Sequence, residues 1–297
     1  VADISRAEVS TLIEEAYSHV LLNSAAASSS VLQAIPQISL GTKTTHLPVL
    51  ATLPVADWTS ETTAKPTSEV TWTDLTMVAE EIAVIVPVHE NVIDDATTSI
   101  LTEISTTAGT AIGKVLDAAV IFGTNKPASW VSAALVPAAS AASQTASVTT
   151  GAANANDVVG AANQAAKKLA KNGFVADTMI TSLSLRYDVE NIRDLQGAPI
   201  FRGDNLGGFK TVYNANGAWD YTAATAIVLD SSRIKIGVRQ DITVKFLDQA
   251  TVGSINLAER DMVALRFKAR YAYVLGVSTT PLGANKVPVA TVTGGGS

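Results

Sequence analysis

Cysteine is absent from the 297 residues, which excludes disulfides, thiolate metal sites and cysteine nucleophiles together. Charge is scarce as well. Charged residues make up 16% of the chain against 47% hydrophobic, and the net charge is −6. A negative chain is poorly suited to gripping nucleic acid as its main task, because that task rests on cations neutralising phosphates. Lys167, Lys168 and Lys171 form the densest basic group of the amino half, and a solvated helix face accounts for them. So few charges leave a lone subunit prone to association, which implies that much of its surface is covered by copies of itself. No segment has the roughly 18 apolar residues that spanning a bilayer needs. Val1-Ala2-Asp3-Ile4-Ser5-Arg6 lacks the basic start and apolar block of a secretory signal. A soluble protein made inside the cell, with no membrane partner, is the expectation.

Catalytic and metal-binding patterns are equally thin. The three histidines, His19, His46 and His89, fall in different predicted elements with nothing pairing them at ligand spacing. His89-Glu90 begins like a zinc-protease helix, but Ile93 stands where the second histidine belongs. Gly109-Thr110-Ala111-Ile112-Gly113-Lys114 imitates a phosphate loop. It is one residue short, has Val115 where a magnesium-binding hydroxyl is needed, and lies inside a helical pattern. Small residues where another element packs closely explain it better. Arg202-Gly203-Asp204 matches an adhesion tripeptide, and a Gly-rich turn explains it fully. The neighbours Asp94 and Asp95 do not face each other on a helix, so capping is the simpler role. No nucleophile, base and orienting group assemble. No enzyme activity, catalytic residue, cofactor or metal is predicted.

What is present is a distinctive order of elements. Val9, Leu12, Ile13, Ala16, Tyr17, Val20 and Leu21 hold one helical stripe, and Ser5 with Glu8 has capping-box spacing. From Ser28 to Leu53 the prolines 36 and 48 mark an extended arm and not a central strand. Val55 to Leu75 reads as a long polar hairpin with its tip at Ala64–Ser68, and Trp58 and Trp72 are its large apolar exceptions. Two strands alone bury too little to stand free in water, so a neighbouring surface must support them. Met77 to Val88 is a β-prone run. A stripe from Ile100 to Phe122, capped by Asp94 or Asp95 and closed by Gly123, predicts a long spine helix.

Further on, Ser132 to Asn156 shows no clear period and reads as a long loop or sheet-edge excursion. Asp157 caps a helix to Lys171 ended by Gly173, Val175 to Thr181 is a strand and Leu183 to Arg193 a helix. A Gly-rich loop follows from Gly197 to Gly208, then strands at Ala226–Leu229, Ile234–Val238 and Ile242–Phe246. Val263 to Tyr273 alternates with Arg266, Lys268 and Arg270 and marks a half-buried strand. The tail from Gly283 to Ser297 is expected to fray.

This order resembles the tailed-phage major capsid proteins of the Hong Kong 97 fold, over nearly the whole chain. Lys65-Pro66-Thr67-Ser68-Glu69-Val70-Thr71-Trp72 resembles the return strand of that family's extended loop, and Val92-Ile93-Asp94-Asp95-Ala96 the start of its spine helix. Asp194-Leu195-Gln196-Gly197-Ala198-Pro199-Ile200-Phe201 is similar to the loop after its second axial-domain helix. Val238–Val244 and Asp261–Arg266 resemble its closing strands. The resemblance implies an α+β chain with an N-terminal helix and arm over residues 1–54 and an extended loop over 55–76. A peripheral domain with the spine helix would cover 77–130, an axial α/β domain 131–250, and a return to the peripheral domain with a tail 251–297. It also implies hexamers and pentamers of this chain, closing into an icosahedral head around weakly contacted double-stranded DNA. Such a protein is made in the bacterial cytoplasm and resides in the virion, where portal, scaffold or decoration proteins are further partners. Trp58, Lys65, Trp72, Tyr17 and Leu21 are the expected intersubunit contacts. Some members join subunits through a Lys–Asn isopeptide bond. Lys65 stands near the loop tip, while no acceptor Asn or assisting acid is matched here. Two other readings stay open, an encapsulin-like nanocompartment shell and a soluble hydrolase or binding module.

Overall fold

The computed structural model describes residues 24–61, 63–94, 100–148, 157–190, 205–276, 279–282 and 286–294. After a helical turn over 24–28 come α1 (Ser30–Ala34), β1 (Gln37–Ser39), β2 (Thr44–Leu50), β3 (Trp72–Val78), β4 (Glu80–His89) and α2 (Glu90–Asp94). The long helix α3 (Ile100–Asp117) continues as a π-helical turn, Ala118–Phe122. Then follow α4 (Leu135–Ala141), β5 (Thr145–Ser147), α5 (Val158–Lys171), β6 (Thr178–Ser182), α6 (Leu183–Glu190), β7 (Asn205–Leu206), β8 (Phe209–Asn214) and β9 (Ala226–Leu229). The chain closes with β10 (Ile234–Leu247), β11 (Thr251–Val252), β12 (Ile255–Asn256), β13 (Met262–Leu275) and β14 (Val289–Thr293).

Alternation along β4 and β13 builds the first sheet, ordered β1-β10-β13-β4. Every second residue of β4, including Ile82, Val84 and Val86, turns inward beside Leu265, Phe267, Ala269, Tyr271 and Tyr273 of β13. The α3 stripe of Ala108, Ile112, Leu116 and Ala119 buries itself in this same core. Residues Ile100–Phe122 are long and apolar enough by length and composition to cross a bilayer, which corrects the expectation that no segment is. In their most apolar window, 56% is buried inside the subunit, the behaviour of a core helix. The helix ends at Gly123, whose φ of 81° is the left-handed conformation expected at that position.

A second sheet, ordered β5-β14-β9-β6-β8-β7, packs its two faces differently. Ile180, Ile227, Leu229 and Val289 join the spine-helix core, while Met179, Ala226, Val228, Ala290 and Val292 meet α5. Strands buried on both faces lose the two-residue period and read as plain apolar runs. Asp157 caps α5 by accepting from the Gly160 amide at 2.6 Å, and Gly173 follows its end with φ 82°.

Several expectations need correction. The hairpin strands are β2 and β3, paired from Thr44↔Val78 to Leu50↔Trp72, so of the residues expected to form it only Trp72–Leu75 lie in the strand pair. The turn among the described tip residues is at Ser60–Thr63, where the Thr63 amide donates to the Ser60 carbonyl at 3.2 Å, and not at Ala64–Ser68. Proline 48 sits within β2 without breaking it, because β2 has no strand on its other side to supply with an amide. The stretch read as a loop from Ser132 holds α4 and β5. Alanines give α4 no visible apolar period, and Pro137 is tolerated in its first turn, where amides lack helical partners anyway. The tail does not fray over its described part: β14 is buried between β5 and β9. The expected strand at 234–238 and the one at 242–246 are one strand, β10, kept continuous through register shifts between Val238 and Thr243. The amino-terminal helix with Tyr17 and Leu21, the Asp95 cap, Arg202-Gly203-Asp204 and the loop from Gly197 through Asp204 lie outside the described residues.

Candidate functional site

Three features stand out from the residues upward: a bare loop, a basic sheet face and a buried carboxylate. Between β2 and β3 the chain leaves the body as residues 51–71. Near its base the Ala51 amide donates to the Thr71 carbonyl at 2.8 Å, and the Thr52 and Thr71 hydroxyls share a 2.6 Å hydrogen bond. Farther out, the Val55 amide donates to the Ser68 hydroxyl at 2.9 Å. Nothing apolar closes over these bonds. Trp58 is 105% exposed, Val55 70% and Trp72 65%, and Lys65 is exposed as well. Trp58 and Lys65 thus lie on the projecting loop, and Trp72 opens β3 at its base.

The loop's footing is firmer. Gly237 on β10 lies opposite Ala272 on β13, and together they leave a shallow seat on the outer face of the first sheet. Leu40 and Met77 fill it; a Cβ on Gly237 would meet Leu40 Cδ1 at 2.5 Å and Met77 Cε at 3.0 Å. Leu47 and Leu75 pack beside them, so β2 and β3 cover one end of that outer face. The other end is open. There Lys245 stands opposite Arg266, and Lys268 and Arg270 follow at two-residue spacing on β13. Glu81 answers two of these cations, with Lys268 Nζ at 2.8 Å and Arg270 Nη2 at 3.3 Å. The Lys268 hydrogen bond, then Arg270, holds the Glu81 carboxyl below its usual range.

Asp117, the last residue of α3 before the π turn, is fully buried. Its carboxylate accepts from the Ser29 hydroxyl at 2.6 Å, the Ser30 amide and hydroxyl at 2.9 Å each, and the Val31 amide at 3.2 Å. The Asn214 and Asn216 side-chain amides donate to it from the opposite side, each at 2.8 Å. Burial pushes this carboxyl above its usual range, against the pull of those donors. One group therefore ties the amino-terminal arm, the spine helix and the second sheet together. Sequence reasoning missed it, although a clue was visible: Asp117 shares the buried stripe with Gly113, Leu116 and Val120 at helical spacing. A carboxylate there demands donors from a neighbour. The Gly113 reading fits what is seen, since a Cβ there would lie 2.6 Å from the Ser28 hydroxyl.

None of this assembles chemistry. His46 hydrogen-bonds Asp74 on the exposed hairpin, and His89 sits at the far end of β4 opposite Met262. Among the described residues no group of three or more His, Asp or Glu side chains converges on a metal position. A cleft of about 730 Å³ at the loop's foot is lined by residues 51–56 and 279–281, none of them titratable.

The comparisons agree with the architecture. The phage capsid family matches residues 10–277. A solved structure from Mycobacterium phage Bobi is 62% identical, with TM-score 0.82 and 100% of each chain covered. One from Mycobacterium phage Adephagia is 59% identical, with TM-score 0.82 and 98% of each chain covered. The capsid of a native GTA particle computed with C5 symmetry shares the fold alone, at 15% identity, TM-score 0.60 and 89% of each chain covered. No curated protein sequence matches. A mixed helix-and-sheet capsid fold with a loop that lacks its own core defines a structural subunit and not a solitary globule. This chain belongs to the phage capsid family, as a major capsid protein of a tailed bacteriophage.

Proposed function

We propose that the chain assembles into hexamers and pentamers that close into the icosahedral head around double-stranded DNA, and that it catalyses nothing. The observation that carries this reading is the loop over residues 51–71. Each arm is about ten residues, so the tip can project on the order of 30 Å. A segment this long with Trp58 wholly exposed gains its ordering energy only against another molecule. In the proposed division, residues 1–54 are the arm, 55–76 the extended loop, 77–130 and 251–297 the peripheral domain, and 131–250 the axial domain. β10 and β14 qualify that division, because β10 lies in the first sheet between β1 and β13, while β14 pairs with β5 and β9 of the axial sheet. Trp58, Lys65 and Trp72 are proposed to contact an adjacent subunit, with Tyr17 and Leu21 reinforcing neighbours through the arm. The subunit is made in the bacterial cytoplasm and ends in the virion.

Replacing residues 54–70 by a short Gly-Ser turn tests the reading. The spine helix and both sheets bury their stripes without these residues, so circular dichroism should show near-native helix content. Sedimentation should then show monomers or capsomers in place of closed shells. Normal particles from that variant would remove the loop from the assembly mechanism.

A further inference from the structure

We propose that Asn216 is a modification site, converting slowly and spontaneously to an acid with loss of ammonia, and that this conversion unfastens the amino-terminal arm. The surroundings of this one side chain favour the reaction. Asn216 is followed by Gly217, so no side chain hinders the approach of the Gly217 amide nitrogen to Asn216 Cγ. Gly217 is exposed, with φ 73°, and among the described residues its amide has no acceptor. The Ala218 amide donates to Asn216 Oδ1 at 3.0 Å, the oxygen on which negative charge develops when Cγ is attacked. Nδ2, the nitrogen that must leave, donates to the Asp117 carboxylate at 2.8 Å and to the Ser28 carbonyl at 3.0 Å. Asp117 therefore touches the leaving nitrogen, and its burial favours the protonated form that can give this nitrogen a proton. A cation stands close as well. A Cβ on Gly217 would lie 3.6 Å from Lys114 Nζ, beside the glycine whose nitrogen must shed its proton.

Water is the only reagent these steps need. Gly217 N bonds to Cγ and releases its proton to solvent, the Cγ–Nδ2 bond breaks, and ammonia departs with a proton from Asp117, which solvent then restores. A five-membered cyclic imide remains. Water opens it at either carbonyl, giving aspartic acid or its β-linked isomer. The consequence lies at the arm. A carboxylate oxygen would face the Asp117 carboxylate and the Ser28 carbonyl where a donor stood, and like charges at that distance repel. Ser29, Ser30 and Val31 are held to the spine helix through this same carboxylate, so the arm is the part that yields. A second Asn-Gly pair supplies the comparison. At Asn172-Gly173 the glycine amide donates to the Ala170 carbonyl at 3.0 Å, in the turn after α5, and its nitrogen is thereby committed. The fold protects one pair and prepares the other. This chemistry belongs to a single subunit and does not depend on how copies assemble.

The test uses the whole, unaltered chain, incubated at neutral pH in heavy-oxygen water and read by peptide mass spectrometry. In the folded protein, label and the amide-to-acid mass gain should enter residue 216 at least about tenfold faster than residue 172, and urea should erase that ratio. A ratio that persists in urea, or conversion of Asn216 that is slower folded than unfolded, would overturn the site. The second readout is the arm. Converted chains carry an added negative charge and separate from unconverted ones by anion exchange. A broad-specificity protease should cut the converted fraction around residues 24–35 at least about tenfold faster, with helix content unchanged by circular dichroism. Asn216→Asp should reproduce that cleavage, and where this variant fails to fold the aged native protein still supplies the measurement. Equal cleavage of converted and unconverted chains would overturn the link between Asn216 and the arm.

Discussion

Asp117 shows how one side chain can hold three parts of a chain together. Its six hydrogen bonds come from the arm, from β8 and from the turn after it. Removing a buried acceptor leaves its donors unpaired, each at a cost of about 1–3 kcal/mol. Asp117→Ala should therefore destabilise the subunit by at least about 3 kcal/mol in urea unfolding, with protease sensitivity rising first around residues 24–35. A loss under about 1 kcal/mol would mean that water replaces the carboxylate and the node is not structural. Glu81 makes the opposite case, a pair at the surface. Its pKa is lowered, so its pairing stabilises the fold fully above the ordinary value of 4.5 and is lost as the pH falls through the lower folded value. The difference in melting temperature between the native chain and Glu81→Gln should be small at neutral pH, since the carboxylate is 42% exposed, and should close below pH 4.5. A difference that persists or widens in acid would refute that pairing. At this scale the sequence revealed the glycines and hid the hydrogen bonds. Gly113 stood out as a small residue in an apolar stripe, whereas the partners of Asp117 are 86 or more positions away in sequence or lie past β8.

Elements were legible where one physical signal acted alone. The spine helix and α5 followed from stripes with marked ends, and β13 from strict alternation of Val263, Leu265 and Phe267 with Arg266 and Lys268. Legibility failed where burial on two faces or small side chains erased the period. Strand β14 is apolar on both faces and was masked by the glycines after it, and α4 is mostly alanine, which marks no face. The hairpin was recognised as an element but misplaced. Its paired strands are fixed by Leu47, Leu75 and Met77 packing on the sheet, a tertiary contact that turn-forming residues alone do not reveal. The same reasoning explains why the loop is the sharpest place to cut. Shortening residues 54–70 removes no core side chain and should spare the fold, while any cut into β3 exposes Met77 and should not.

Across the whole molecule, charge is sparse and divided. The chain carries 21 Lys and Arg against 27 Asp and Glu, which sets its long-range field against a polyanion. The described basic face is small and is half answered by Glu81. In the proposed shell, DNA would be held by enclosure, with the grip on phosphates contributing little. Isolated subunits should therefore bind duplex DNA no more tightly than ordinary non-specific contact, at about 10⁻⁴–10⁻⁶ M, and lose that binding between roughly 50 and 200 mM salt. Filter binding or fluorescence anisotropy across a salt series would measure this. Nanomolar affinity that survives salt in the free subunit would mean that the inner surface reads DNA directly.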